Sequence, residues 1–371
     1  MHPIRSRTKS AGLAGAAAIL SAGYANAADA VMMPEPEPVE YVRICDAYGE
    51  GFFYIPGTET CLRISGYVRY QVGASNDDGL AAGDTPNYNG FANGWDKNVR
   101  ARLNFDARSE TDWGTLQSYI RLQADWNGVG DGPVEADQAW ISLGGLRMGY
   151  SESAWSDTVV GGVPTVGSHS DNAMSYGDQQ RAFIQYNFER NGLFGVLSLE
   201  DDALAGDGYM PDVVGVLGYS SGWGGAWGRV GYDEAFDGFG ASAGLQVNVP
   251  GVEGSSVRLI GYYADGDHVY GTLHGPAAVA FGGNGNSEWS VLGSYYHQFT
   301  PDFGGSVGVQ YFNDFYLGGT SVGSGLDGYS AELSLVWFPV TDFEVRSEVQ
   351  YDKIDTLDGS LSGYLRFTRF F

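Results

Sequence analysis

The sequence predicts an all-β protein, a 16-stranded antiparallel transmembrane β-barrel with long external loops and short periplasmic turns. Apolar and polar residues alternate over segments of about ten residues, which is the period of a strand with one face in lipid and the other in water. Long and short connections also alternate between these segments. Beyond residue 28 no apolar run approaches the roughly 18 residues of a membrane helix, so strands are the predicted means of crossing.

The composition excludes several other classes of protein. The chain has 371 residues, of which 43% are hydrophobic and 18% charged, and this excludes a disordered protein. Its 57 glycines lack the every-third-residue period of collagen. The formal charge of -25 excludes a general nucleic-acid binder, since such a surface repels phosphate. Calcium, magnesium and cationic solutes are better partners for it.

Residues 1–27 have the pattern of a secretory signal peptide. Arg5, Arg7 and Lys9 precede an alanine-rich apolar run, and Ala25–Ala27 form an A-x-A cleavage signature. A membrane anchor is the alternative, but the apolar run is shorter than the roughly 20 residues that cross a bilayer. We therefore expect the chain to be exported.

Residues 28–61 form the predicted N-terminal periplasmic segment, and residues 62–371 the barrel. The segment contains both cysteines of the exported chain, Cys45 and Cys61. In an oxidising compartment, two cysteines this close in sequence predict one disulfide, here a structural staple. The segment itself is open to two interpretations: a contact with peptidoglycan or the assembly machinery, or a plug of the barrel base.

The barrel strands are predicted from the period of two. Near the C-terminus Tyr329, Leu333 and Trp337 share an apolar face with an aromatic residue at each end, as expected of a strand ringed by interfacial aromatics. Glu332 and Ser334 share the opposite face. The predicted strands span 62–72, 98–108, 114–125, 136–143, 145–150, 180–189, 192–200, 212–220, 225–234, 238–249, 255–264, 287–298, 303–313, 328–338, 342–352 and 361–371.

The connections support a closed barrel in an outer membrane. Long connections alternate with tight turns. This alternation is typical of outer-membrane barrels, in which the long loops face outside and the short turns face the periplasm. Only the connection at 235–237 is shorter than its position predicts. Since no water in the hydrocarbon layer can satisfy backbone polar groups, a sheet spans it only when closed. Sixteen strands also leave an aqueous lumen. The predicted long connections are 73–97, 126–135, 151–179, 201–211, 265–286, 314–327 and 353–360.

Two terminal segments carry a resemblance to a known family. The last strand ends in Phe370-Phe371, which is similar to the C-terminal signal of outer-membrane barrels, although Arg369 shares the outward parity of Phe371. The run PEPEPVEYVRICDAYG at 34–49, continued by FFYIPGTETCLR and GYVRY up to residue 70, resembles the start of alphaproteobacterial general porins. The resemblance implies an outer-membrane homotrimer for passive, size-limited diffusion, with the third external loop folded into each lumen.

Candidate pore residues follow from strand parity. Adjacent strands lie about 4.8 Å apart, so inward arginines on the first three strands form one basic patch. The arginines of this patch are Arg63, Arg69, Arg100, Arg102, Arg108 and Arg121. The connection 151–179, taken as the third external loop, carries four acids: Glu152, Asp157, Asp171 and Asp178.

The family pattern implies that this acidic loop faces the arginines across a narrow eyelet, where charge tunes ion preference. The alternative is that the arginines are solvated lumen residues paired with local carboxylates such as Asp106 and Asp125. Acidic residues also crowd the other long loops. They are interpreted either as bridging through divalent cations to lipopolysaccharide or as a solvated acidic surface. No defined metal site and no cofactor is predicted.

The sequence offers no well-supported enzyme motif. Four copies of G-x-S-x-G occur in glycine-rich strands or loops without a following helix, which argues against a nucleophile elbow. His169, His268, His274 and His297 are scattered and form no H-E-x-x-H motif. The predicted function is a water-filled channel for small hydrophilic solutes and ions. A substrate-specific channel and a non-conducting β-rich adhesin or secreted binding protein remain as alternatives.

Overall fold

A computed structural model describes residues 43–76, 93–126, 132–157, 159–171, 174, 179–201 and 209–371. Within these ranges the helices are one short α-helix, α1 (Gly275–Phe281), and a 3-10 turn at Asp46–Tyr48. No helix among the described residues is long and apolar enough to cross a membrane. The predicted signal peptide lies outside the described residues and stays a prediction, as does Asp178.

Sixteen antiparallel strands form the barrel, and each pairs with its neighbours in chain order. The last strand pairs with the first, for example Phe367 with Tyr70, so the sheet is closed. The strands are β1 (Cys61–Asn76), β2 (Asn93–Thr111), β3 (Gly114–Trp126), β4 (Glu135–Leu143), β5 (Leu146–Glu152), β6 (Gln180–Arg190), β7 (Leu193–Asp201), β8 (Asp212–Ser221), β9 (Gly224–Asp233), β10 (Gly238–Asn248), β11 (Ser256–Ala264), β12 (Ser287–Thr300), β13 (Phe303–Phe315), β14 (Gly328–Val340), β15 (Phe343–Ile354) and β16 (Ser360–Phe370).

The predicted barrel is confirmed, with differences at the strand ends. The β1–β2 ladder continues to the pair Asn76 and Asn93, beyond the predicted ends at 72 and 98. This extension lacks the alternation of a lipid-facing strand, so the sequence pattern could not separate it from a loop. β14 runs on to Val340 through a register shift after Trp337. A shift of this kind breaks the period of two on which the prediction relied.

The two faces of the wall differ as the alternation requires. In β14 the outward Leu333 is 47% exposed, whereas its neighbour Ser334 is 3% exposed and faces the interior.

Tight turns close the periplasmic end. Asn191 and Gly192 join β6 to β7 with φ of 52° and 81°, the two positive values that a two-residue hairpin turn of this hand requires.

The described part of the N-terminal segment, residues 43–60, packs under the start of β1. Cys45 and Cys61 are joined by the predicted disulfide, with their Cα atoms 5.9 Å apart. The two cysteines and Phe52 form a small buried cluster. The guanidinium of Arg63 lies 4.8 Å from the Phe52 ring centre. Because Arg63 points inward from β1, residues 43–60 lie at the base of the lumen wall.

Candidate pore constriction

The described residues between β5 and β6, which are 153–157, 159–171, 174 and 179, lie against the inner wall of the barrel and are called the inward loop below. Its described apolar side chains pack against inward side chains of β7, β8, β9, β11 and β12, which alternate with exposed outward ones. Burying this surface removes apolar area from the lumen water and holds the loop against one wall. The cluster comprises Ala154, Trp155, Val160, Val163 and Met174 of the loop, Phe194, Val196, Val214, Val216, Trp227, Ile260, Tyr262 and Leu292 of the wall, and Tyr270 from the connection between β11 and β12.

Two buried arginines of the wall hold the backbone of the inward loop. Arg229 of β9 donates to the carbonyls of Trp155 and Thr165. Arg258 of β11 donates to the carbonyl of Gly167 at 2.8 Å and to that of Ser168 at 2.5 Å. A guanidinium carries five N–H donors, so one side chain can satisfy several loop carbonyls that would otherwise be buried without partners.

Buried carboxylates of the wall fix the loop near its start and again at Asp171. Near its start, Ser153 Oγ and the Ala154 N–H donate to Glu200 of β7 at 2.6 and 2.9 Å. Further along, the Asp171 N–H donates to Glu348 of β15 at 2.7 Å, and the Asp171 carboxylate pairs with Arg366 of β16. The loop thus reaches from β7 to β16.

The predicted arginines all lie on the inner wall of β1–β3, and most have wall carboxylates as partners. Arg63 and Arg108 pair with Asp106 at 3.4 and 2.7 Å. Arg100 pairs with Asp125 at 2.7 Å. The two other pairs centre on Asp137 of β4, which lies 3.9 Å from Arg102 and 3.2 Å from Arg121. Arg69 has no carboxylate within 4.0 Å among the described residues, and its guanidinium lies 5.8 Å from the Tyr67 ring centre.

The described loop acids occupy three different environments. Glu152 is the last residue of β5 rather than part of the loop, and it lies 3.6 Å from Arg121. Burial raises the pKa of Asp157, although Arg147 opposes the shift. Burial also disfavours the charged form of Asp171, but Arg366 and other arginines outweigh it and hold the pKa of Asp171 below its ordinary value.

His169 in the inward loop is an uncharged anchor. Its ring nitrogens lie 2.7 Å from Ser294 Oγ and 2.9 Å from Ser256 Oγ. Burial, with a smaller contribution from the nearby Arg258, lowers the pKa of His169 to about 3. The ring therefore stays neutral at ordinary pH and contributes hydrogen bonds rather than charge.

The water-accessible part of the lumen wall lies on one side. The side chains of Arg63, Arg100 and Arg121 are 39%, 26% and 19% exposed. Inward residues on the opposite wall are covered: Ser242 of β10 is 5% exposed and Gln310 of β13 is fully buried. The inward loop contributes to this cover. The accessible charges therefore lie mainly on β1–β5, together with Asp171 of the loop at 45% exposed and Arg346 of β15 at 16%.

Residues 29–364 match the family described as the porin subfamily. The chain belongs to this family. It is 37% identical over 397 residues to the porin Omp2b of Brucella suis, covering 98% of this chain and 99% of that one, and the same values hold for Omp2b of Brucella abortus. The predictions of a porin channel rather than an enzyme, of an outer-membrane location and of family membership are confirmed.

Solved structures share the fold of this porin at low sequence identity. The outer-membrane channel DcaP of Acinetobacter baumannii has a TM-score of 0.63 at 16% identity, covering 86% of this chain and 99% of that one. An anion-selective porin from Comamonas acidovorans has a TM-score of 0.55 at 12% identity, covering 84% and 100%. Identities this low support the barrel fold alone.

Sequence reasoning missed several charged residues of this porin's interior. Arg147, Arg229, Arg258 and Arg366 all point inward, and the parity rule that found Arg121 places them on the same face. Their partners could not be found that way. Arg229 and Arg258 bind backbone carbonyls more than 60 residues away in sequence, and no local pattern marks such contacts.

Proposed function

We propose that this porin is a general diffusion channel whose charged eyelet lies between the inward loop and the arginines of β1–β3. The observation that carries the proposal is the partial exposure of these arginines, whereas the described inward loop packs against β7–β9, β11 and β12. A wet passage removes the cost of taking small hydrophilic solutes through hydrocarbon, and no chemical step is needed. The width and charge of the narrowest part then decide which solutes pass.

The charges of the proposed eyelet are interleaved rather than arranged as two facing rings. Arg121 lies between Asp137 and Glu152, so its charge is largely compensated nearby. Arg69 and Arg147 have no carboxylate within 4.0 Å among the described residues, and both lie close to aromatic rings. We propose that these two arginines supply the positive charge to which passing anions respond, because their field is the least compensated.

Reversal potentials in a potassium chloride gradient test the eyelet. The double variant Arg102→Ala with Arg121→Ala removes two positive charges and leaves Asp137 and Glu152 uncompensated. We expect a shift of selectivity toward cations and a changed single-channel conductance. Arg190→Ala is the matched control, since Arg190 ends β6 at the exposed periplasmic side. Unchanged conductance and selectivity in the double variant would remove both arginines from the eyelet.

Planar-bilayer recording of the unaltered protein also separates the rival functions. Steady ohmic steps support general diffusion. Blockade by one class of solute indicates a substrate-specific channel instead, and silence indicates a non-conducting adhesin.

We propose a homotrimer that contacts outer-membrane lipid and lipopolysaccharide, as the family resemblance implies. The exposed apolar residues of the outer wall, such as Leu217, Val230 and Leu259, offer the surface that lipid or a second copy would cover. The detergent-corrected mass of the purified protein tests the trimer, and a monomeric mass contradicts it.

A further inference from the structure

A second external loop, residues 265–286 between β11 and β12, is also largely buried. It contains α1, and within it Tyr270 and Ala277 are fully buried, whereas an ordinary external loop would be solvated. By contrast, Tyr209 just before β8 is 100% exposed. The burial of the 265–286 loop calls for a covering surface, and its contacts identify that surface as the inside of the barrel.

One set of contacts ties this loop to β8 and β9. The Tyr270 hydroxyl donates to Asp212, the first residue of β8, at 2.8 Å. The Val269 N–H donates to Asp233, the last residue of β9, at 3.2 Å. The Tyr270 ring also lies so close to Gly231 that a Cβ there would be 2.5 Å from it. Tyr270 is therefore seated against the external end of the inner wall at β8–β9.

A second set of contacts ties the same loop to β14 and β15. His274 Nε2 lies 3.1 Å from Ser330 Oγ of β14 and 3.2 Å from Asp352 Oδ1 of β15. Just beyond, Ala277 packs with Phe312, Phe315 and Ile354. The hydrogen-bond acceptors and the apolar cluster both belong to the external ends of β13–β15.

The loop lines the inner face of the external mouth between the two anchors. β8 and β14 are six strands apart, which is about 29 Å along the wall at about 4.8 Å per strand. The backbone from Tyr270 to His274 lies against the wall between these strands. A Cβ on Gly240 of β10 would be 1.6 Å from the Tyr270 carbonyl oxygen, and the Leu273 N–H donates to Asn286, just before β12, at 3.0 Å. From this segment the Tyr270 side chain reaches toward β8 and the His274 side chain toward β14 and β15.

The same segment also contacts the inward loop. Trp155 Nε1 donates to the Gly271 carbonyl at 3.3 Å, and the Trp155 and Tyr270 rings meet edge to face with centres 5.8 Å apart. At the other end of the inward loop, Gln179 donates to the Val269 carbonyl. Glu200 is shared by both loops, since Ser153 Oγ donates to it at 2.6 Å and the Tyr270 hydroxyl lies 3.4 Å away.

We propose that residues 265–286 are a strap, a second restricting element of the pore that bars the external mouth along β8–β15. Entry is then confined to the side of β1–β5, where the exposed arginines lie, and the strap also steadies the inward loop through Trp155. The inference rests on the proposed diffusion function. It assigns to the strap the upper size limit of entering hydrophilic solutes, whereas the eyelet arginines govern charge.

Shortening the strap tests this directly. Replacing Gly266–Asn286 by Asn-Gly joins Asp265 to Ser287 by a two-residue turn. These two residues face each other two positions beyond the pair of Tyr263 and Trp289 in the β11–β12 register. We expect a rise of about twofold in single-channel conductance, because a passage beside β8–β15 opens. In liposome-swelling assays, larger neutral sugars should enter. A shortened protein that shows the folded, heat-modifiable band but has unchanged conductance and an unchanged sugar limit overturns the proposal.

A full-length variant keeps the test decisive if the shortened chain does not fold. Tyr270→Phe with His274→Ala removes the polar anchors on both sides and leaves the loop in place. We expect more open-channel current noise and faster entry of large sugars. Tyr209→Phe, the same change at an exposed tyrosine, is the matched control. Noise and sugar entry equal to those of the control overturn the strap, whereas absence of current in the unaltered protein overturns the diffusion function itself.

Discussion

At the scale of single residues, a charge inside this porin is defined by its partner more than by its position. Arg63 and Arg108 share one buried carboxylate, Asp106. Arg366 forms an ion pair with the loop acid Asp171. The sequence prediction of an inward arginine patch anticipated where these side chains point. Its alternative, pairing with local carboxylates such as Asp106 and Asp125, matches the contacts of Arg63, Arg108 and Arg100. The pair of Arg366 with Asp171 was not anticipated, because those two residues lie 195 positions apart in the chain.

The pair of Asp171 and Arg366 predicts an acid-dependent loosening of the inward loop. A carboxyl group whose pKa is depressed in the folded state stabilises that state above its ordinary value of 3.8, and this contribution is lost as the pH falls through the lower, folded value. Current noise is therefore expected to stay low from neutral pH down to about 4 and to rise below it. Burial raises the pKa of Asp157, so its protonation comes at higher pH and does not break this pair.

The variant Asp171→Asn should show, already at neutral pH, the raised current noise that is expected of the unaltered protein in acid. Asp302→Asn, at an exposed periplasmic turn, serves as the control and should leave the noise at the level of the unaltered protein. Equal noise at neutral pH in Asp171→Asn and the control would contradict a restraining role for the pair.

At the scale of the elements, closure of the barrel depends on a close approach between its ends. The Gly66 N–H and carbonyl pair with Phe371 at 2.9 and 3.1 Å. A Cβ on Gly66 would lie 2.1 Å from the carbonyl oxygen of Arg102, which is backbone and has no flexible end to move aside. Glycine is required here because the backbones of β1 and β2 and the C-terminus meet at this point.

Gly66→Ala is expected to destabilise the closed barrel. The folded band on unheated gels should convert to the unfolded one at a lower temperature than in the unaltered protein. Gly261→Ala is the matched control, because a Cβ at Gly261 of β11 meets nothing within 4 Å. A conversion temperature for Gly66→Ala as high as that of Gly261→Ala would show that the wall adjusts to the extra methyl group.

The elements were also the most predictable part of the structure. All sixteen strands follow from alternation and turn residues, as for Leu333 against Ser334 in β14 or Asn191–Gly192 between β6 and β7. The predicted strand ends were wrong where apolar and polar residues stop alternating. The β1–β2 ladder extends beyond the alternating residues, and Glu152 belongs to β5 although it was assigned to the following loop.

At the scale of the whole molecule, the barrel and the N-terminal segment are joined but separately stabilised. The barrel is closed by its own hydrogen-bond ladder between β16 and β1. The disulfide closes a loop of 16 residues at its base. In the chain-entropy account, a loop of this size contributes about 3 kcal/mol, and here that stability belongs to the segment around Phe52.

Cys45→Ser with Cys61→Ser should therefore leave the barrel able to assemble and conduct, while residues 43–60 become easier to cleave. Limited proteolysis of the protein in detergent, read beside single-channel conductance, measures both effects. As the control, the unaltered protein and the double variant are both treated with a reductant. Reduction should make residues 43–60 of the unaltered protein easier to cleave and leave the cleavage of the variant unchanged. Loss of assembly in the variant would show that the disulfide supports the barrel itself.

The amino-acid sequence by itself determined the closed barrel, its strand order, the inward parity of its arginines and the pairing of its two cysteines. Each of these depends on a local period or on neighbours close along the chain, and a period of two can be recognised within a single strand. Only the tertiary structure decided which wall residues hold the loops. The inward loop and the strap are held by contacts such as Arg258 with Gly167 and His274 with Asp352. Those partners lie 91 and 78 residues apart in the chain, and their meeting depends on the curvature of the finished wall.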